Sequence, residues 1–170
     1  IMIPCELSDE VKNNFRVFIK KIVDGELLAS DIALENSEFM SNPDFESVVM
    51  RYAHGDCYQL AATLLLLDHT NAFTPYFLRS IHGYCHGLVR FQQSNGKKMF
   101  LDSNGLQTEQ SVINQWTFLT KGKVDLIRYD REDFLDRIGI EDDEFEDAAN
   151  EFSGWISFVL KNNIFGKKPV

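Results

Sequence analysis

Three residues able to do thiol chemistry occur in a telling order along the chain: Cys57, His86 and Asp102. Cys57 follows His54-Gly55-Asp56 and precedes the apolar run from Tyr58 to Leu67. Gly55 permits a sharp turn and Asp56 is a good N-cap, so Cys57 is expected in the first turn of a helix. Unpaired N–H groups and a partial positive charge at that end favour thiolate over thiol, and the thiolate is the nucleophile. The same N–H groups can receive a developing oxyanion. Asp56 opposes this, because a neighbouring carboxylate disfavours a second anion. The ordinary alternative is a small buried hydrophobe, the commoner fate of a free cysteine.

His86 begins one expected strand and Asp102 ends the next, with Ser94-Asn95-Gly96 between them. Asn-Gly between apolar runs is a strong hairpin signal. A His and an Asp on adjacent strands can meet at cross-strand distance, where the carboxylate orients the imidazole for work as a base. The alternative is again ordinary: a strand-edge histidine, and an aspartate that merely starts the Asp102-Ser103-Asn104-Gly105 turn. The two readings differ in register. A two-residue Asn95-Gly96 loop pairs Ser94 with Lys97 and puts His86 and Asp102 on opposite faces of the sheet. A triad needs them on one face, so an odd-numbered loop or a bulge is predicted.

The elements that must position these residues read as α+β. Ser8 can cap a helix running to about Asp24, with Val11, Phe15, Phe18, Ile19, Ile22 and Val23 on one stripe. A second helical segment is plausible after Asn42-Pro43, through Phe45, Val48, Val49 and Tyr52. The helix after Cys57 is apolar nearly all round, as a central buried helix is. Strands are expected at Tyr76 to Ile81, His86 to Phe91, Lys98 to Asp102 and Val124 to Tyr129. Helices are expected at Gln107 to Leu119, Asp130 to Ile138 and Phe145 to Leu160, the last with Phe145, Ala148, Phe152, Trp155, Ile156 and Val159 on one face. Helices, then an antiparallel sheet, then helices make an α+β layout. At 170 residues with 44% hydrophobic content and fourteen Phe, the whole chain, 1–170, fits one domain with a substantial core.

Bulk charge narrows the function. A formal net charge of −9 opposes nucleic-acid phosphate and anionic membrane surfaces. No segment approaches the ~20 apolar residues of a membrane span. No basic segment followed by an apolar stretch is visible at the N-terminus. That predicts a cytoplasmic protein, or an effector delivered without a classical signal peptide. Three cysteines, Cys5, Cys57 and Cys85, are too sparse for a disulfide scaffold and fit a reducing compartment. Glu141 to Asp147 carries six acidic residues, read as the solvated first turn of the last helix; docking of a basic protein partner is the alternative use.

Taken together, Gly55-Asp56-Cys57-Tyr58-Gln59-Leu60-Ala61, His86-Gly87-Leu88-Val89 and Met99-Phe100-Leu101-Asp102-Ser103-Asn104-Gly105 resemble the papain-like thiol hydrolase fold. The chain is similar to its compact bacterial versions, among them cell-wall amidases, toxin peptidases and effector deamidases; transglutaminase-like proteins share the arrangement. The resemblance spans about Gly55 to Gly105. It implies a Cys-bearing helix packed on an antiparallel sheet, with His and its acidic partner on adjacent strands. Members of that fold place a Gln before the Cys to complete the oxyanion hole, and no Gln lies upstream of Cys57 here. His54 is the candidate donor in its place, beside the Cys57 backbone N–H. Tyr58 and Gln59 flank the thiol and are candidate pocket residues.

The resemblance implies an amide hydrolase, a peptidase or glutamine deamidase, acting on a protein or peptide. Cys57 is its nucleophile, His86 its base and Asp102 the residue that orients the base, with no cofactor. Two other classes use the same residues. One is a non-catalytic interaction module on the same scaffold. The other is a zinc-stabilised domain built on His54-x-x-Cys57 and His82-x-x-Cys85-His86, although this irregular set lacks the paired knuckles of zinc motifs. The catalytic reading holds no metal.

Overall fold

The structure, a computed structural model, describes residues 7–26, 56–103 and 105–161, except for the side chains of 158, 159 and 161. The segment expected to be helical after Pro43 lies outside the described residues, as do His54 and Cys5. Helix α1 spans Asp9–Val23 and starts as its sequence demands: the Ser8 hydroxyl accepts the Val11 N–H at 3.2 Å. Its buried stripe is Phe15, Phe18, Ile19 and Ile22, and Val11 and Val23 pack at the margin. This stripe meets the last helix, α5 (Asp142–Lys161), through Phe15 against Phe152 and Phe18 edge-on to Trp155. Asn14 adds polar ties by donating to Ser153 and Ser157 of α5.

Helix α2, Cys57–Leu67, fills the space between these helices and the sheet. Every residue from Leu60 to Leu67 is buried, so no face of the helix is left for water. Each fully buried leucine contributes on the order of 2 kcal/mol of transfer free energy, which holds the helix in place without a polar stripe. Asp68 ends it and shapes the exit. Its buried carboxylate accepts the N–H and hydroxyl of Thr70 and the N–H of Phe73.

The sheet contains β1 (Thr74–Ser80), β2 (Gly83–Gln92), β3 (Lys98–Asp102), β4 (Gly105–Gln107) and β5 (Asp125–Arg128), all antiparallel in the order β4-β3-β2-β1-β5. The remaining helices are α3 (Glu109–Thr120) and α4 (Arg131–Ile138). The described residues thus form a mixed α+β fold of five helices and one five-stranded sheet. Among them, no helix is long and apolar enough to cross a membrane.

Two irregularities in β2 set which way its side chains point. At its far end, Gln92 pairs with Lys98, and Gln93 N–H donates to Lys97 O at 2.8 Å, which leaves Ser94, Asn95 and Gly96 as the loop. Gly96 sits at φ +87°, in the left-handed region that such a three-residue loop requires. The loop is therefore odd-numbered, as a shared face for His86 and Asp102 demands. Paired positions run Val89 with Leu101 and Arg90 with Phe100, so Asp102 falls level with Leu88, on the face that His86 also uses. At the near end, Leu78 pairs with His86 but Arg79 pairs with Tyr84, leaving Cys85 as the extra residue of a bulge. The Cys85 thiol donates to Leu78 O within the bulge. Without it, Tyr84 and His86 would share a face; with it, Tyr84 turns to the opposite one.

The two faces bury different groups. Phe77, Val89, Phe91 and Leu101 join α1, α2 and α5 in the main core. Tyr76, Leu78, Leu88 and Phe100 pack under α3 with Val112 and Trp116.

Candidate active site

His86 and Asp102 meet. His86 Nε2 lies 2.7 Å from Asp102 Oδ2, with both residues buried. The other carboxylate oxygen accepts from Gln107 Nε2 at 3.2 Å. β4 makes this possible: after Asp102 and Ser103 the chain reverses, and Asp102 pairs with Gly105, which brings Gln107 back alongside β3. The indole of Trp116 from α3 lies over the imidazole, 4.5 Å between ring centroids and 26° between planes. The ring of His86 is thus fixed at one edge by a carboxylate and on one face by an aromatic wall.

Asp102 engages Nε2, which leaves Nδ1 as the other ring nitrogen. Among the described residues that buried atom has no hydrogen-bond partner. Cys57, the first residue of α2, is the other group acting on the ring. Burial alone would lower the His86 pKa, but the Asp102 hydrogen bond, the Cys57 side chain and the negative charge of both partners outweigh it. The net effect raises His86 from 6.5 to about 9. Cys57 influences His86 as a hydrogen-bonding partner, yet Nδ1 completes no bond of full geometry. Cys57 is 5% exposed. It heads a helix whose N-cap, Asp56, accepts the N–H groups of Gln59 and Leu60 on its carbonyl. The Cys57 and Tyr58 N–H groups precede the first intrahelical bonds, where an oxyanion would be received.

The flanking residues separate. Tyr58 packs tilted against Phe77 and lines a pocket of about 250 Å³ with Phe77, Tyr84, Arg137 and Ile138. Burial pushes the Tyr58 hydroxyl up to about 12; Cys57 and Cys85 add to the rise, and Arg137 opposes it. Gln59 lies outside that lining, and its amide donates to Glu144 of α5. His82 is exposed in the β1–β2 turn, away from the buried imidazole of His86. Among the described residues, no three His, Cys, Asp or Glu side chains converge to hold a metal. The sequence matches no family model, and no curated protein or solved structure is detectably similar to it.

Sequence reasoning reads Trp116 as core, which its burial bears out, but gives no sign that it walls the imidazole. It missed Gln107 as the second partner of Asp102, and Arg137 altogether. A polar residue two positions past a Gly-ended turn was the available signal for Gln107, since a tight hairpin returns that residue to the strand it left. Nothing local marks Arg137.

Proposed function

We propose that the chain is a papain-like, thiol-dependent amide hydrolase, a peptidase or glutamine deamidase, with Cys57, His86 and Asp102 as its triad. The observation that carries this reading is the division of the His86 ring. Asp102 takes one nitrogen and leaves the other without a hydrogen bond among the described residues, with Cys57, the first residue of α2, acting on the same ring. A buried ring nitrogen left unsatisfied costs free energy, and a catalytic role is one reason for a fold to keep it. In the proposed reaction Cys57 Sγ attacks the carbonyl carbon while its proton rests on His86 Nδ1. The imidazolium gives that proton to the departing amine as the C–N bond breaks, leaving a thioester. Water then gives a proton to His86 as its oxygen attacks. The C–S bond breaks, the acid is released and the proton returns to the thiol. Asp102 holds the ring so that Nδ1 faces the thiol and stabilises the imidazolium. The first N–H groups of α2 receive the oxyanion, with His54 as a candidate second donor. No metal or cofactor enters these steps, and the acidic chain suits a protein or peptide substrate rather than nucleic acid.

The test is alkylation of Cys57 by iodoacetamide across pH, with Cys57→Ala and His86→Ala beside the wild type. Labelling that is fast well below the ~8.5 of an ordinary thiol, and slowed by His86→Ala, supports the triad. Slow labelling that ignores His86→Ala overturns it. One observation favours a second reading, a non-catalytic interaction module on the same scaffold: Cys57 is only 5% exposed and His86 fully buried. In that reading the acidic first turn of α5 meets a basic partner, and the same labelling experiment returns its slow result.

A further inference from the structure

A pocket lined by Tyr58, the residue after Cys57, pairs an aromatic wall with a cation that has no anion among the described residues. Its lining is Tyr58, Phe77, Tyr84, Arg137 and Ile138, in about 250 Å³. Three links tie it to the triad. Tyr58 follows Cys57 on α2. Gly87 follows His86 on β2, and the Tyr58 ring lies so close over it that a Cβ there would stand 2.6 Å from Tyr58 Cδ1. Tyr84 reaches this face only because the Cys85 bulge separates it from His86.

Arg137 projects from the last turn of α4, exposed, with its guanidinium carbon 4.8 Å from the Tyr84 ring centre and 5.9 Å from that of Tyr129. Those two rings are fixed by the 2.7 Å bond between their hydroxyls. A guanidinium held over ring faces keeps its N–H fork available at its edges, in the geometry that grips a carboxylate with two bonds. Among the described residues, Arg137 forms no ion pair and no hydrogen bond, while Arg79 on the same sheet is paired with Asp125. In a chain of net charge −9, an exposed arginine stacked on the rings of an aromatic pocket, with no anion among the described residues, suits an external anion.

We infer that this pocket is the recognition subsite of the proposed hydrolase and takes a substrate carboxylate on a short apolar stem, the stem against Tyr58 and Phe77 and the carboxylate on Arg137. The inference rests on the hydrolase reading for its role, but the binding itself can be tested apart from it. Two sources share this chemistry: a glutamate side chain and the C-terminal carboxylate of a peptide.

The experiment titrates Cys57→Ala protein, which keeps the pocket and cannot react, with three capped tripeptides. They are acetyl-Ala-Glu-Ala-amide, acetyl-Ala-Gln-Ala-amide and acetyl-Ala-Ala-Ala with a free C-terminus. NMR follows the Arg137 Nε–H and the Gly87 amide, and Arg137→Gln assigns the former by its disappearance. At least one carboxylate peptide is expected to shift both signals and to bind about tenfold more tightly than the Gln peptide, the worth of one charge-assisted contact. The same advantage should vanish in Cys57→Ala/Arg137→Gln. A tighter Glu peptide identifies the side chain as the source, and a tighter free-terminus peptide identifies the chain end. Equal binding of all three, or an advantage that survives loss of Arg137, overturns the inference. Iodoacetamide labelling of the wild-type protein, beside His86→Ala, separates the two failures. Fast labelling dependent on His86, without carboxylate preference, removes the subsite and leaves the hydrolase. Slow labelling with carboxylate binding intact removes the hydrolase and leaves a carboxylate-binding module.

Discussion

Residues 86 and 87 are neighbours on β2, and their surroundings are opposites. On one face His86 is sealed, with a carboxylate on one nitrogen, an indole over the ring and no exposure to solvent. On the other, Gly87 has no side chain, and its missing bulk lets Tyr58 lie down as the floor of a pocket whose mouth carries an exposed arginine. Under the proposed reaction, the difference would separate proton handling from recognition within one small fold. Low dielectric strengthens the His86–Asp102 pair, while a stacked guanidinium needs access to its ligand. Alternation along one strand supplies both environments within a single residue step.

Breaking the sealed side should have the largest effect. Asp102→Ala leaves the His86 ring buried without its partner, and loss of one member of a buried ion pair costs roughly 3–5 kcal/mol. Urea unfolding at pH 7 should show that loss; a change below about 1 kcal/mol would mean that Asp102 is an ordinary turn residue. Asp102→Asn keeps the shape but removes the charge. It should spare most of the stability while slowing Cys57 alkylation by roughly 10²-fold or more, as expected where an acidic residue orients a catalytic histidine.

The next effect is a pH dependence confined to the same face. His86 is raised from 6.5 to about 9, so the folded state binds its proton more tightly than the unfolded chain does. The resulting stability is fully present below about pH 6.5 and is lost as pH rises through about 9. It amounts to on the order of 3 kcal/mol at most. The groups facing the ring are Asp102 and Cys57, both of which favour the imidazolium, and Trp116, which is neutral. Unfolding free energies at pH 6 and pH 9.5 should therefore differ more in the wild type than in His86→Phe. Equal slopes would show that other groups carry the dependence.

A smaller effect is expected at the boundary between the two faces. Gly87→Ala puts a methyl group into the Tyr58 ring, which is already held against Phe77 and cannot swing away cheaply. Overpacking of this kind costs about 1–3 kcal/mol. Because Tyr58 adjoins Cys57, the substitution should disturb alkylation of the thiol as well as stability. Stability loss with unchanged alkylation would show that pocket and thiol are mechanically independent.

What was legible in the sequence follows the same boundary. The α1 cap at Ser8, the apolar stripe behind it and the all-apolar α2 are local signals, and each appears where periodicity placed it. The odd loop at Ser94-Asn95-Gly96 was one of two alternatives, the other a bulge, and only a shared face for His86 and Asp102 pointed to either. β4 was not legible, since Gly105-Leu106-Gln107 is too short to show a period and exists because β3 is there to pair with it. The bulge at Cys85 was not legible either, because it appears only in how β2 registers against β1. The sealed side of the site draws on residues of types that announce chemistry. The pocket draws on Tyr58, Phe77, Tyr84, Arg137 and Ile138 from α2, β1, β2 and α4, and no window of sequence contains more than two of them.

The smallest expected effect sharpens the comparison most. Arg137 is exposed and touches only ring faces, so Arg137→Gln removes cation–π contacts worth about 0.5–1 kcal/mol at such a site. Thermal unfolding should move by only a few degrees at most. Burial lowers the His86 pKa, and Asp102 and Cys57 raise it past that loss; Arg137 is not among these causes, so the His86 titration followed by NMR should stay in place. An unchanged His86 midpoint together with lost carboxylate binding would show that the two faces of β2 do separate jobs. A moved midpoint would show that the cation is felt through Tyr58 and the thiol, and that the two faces form one electrostatic unit.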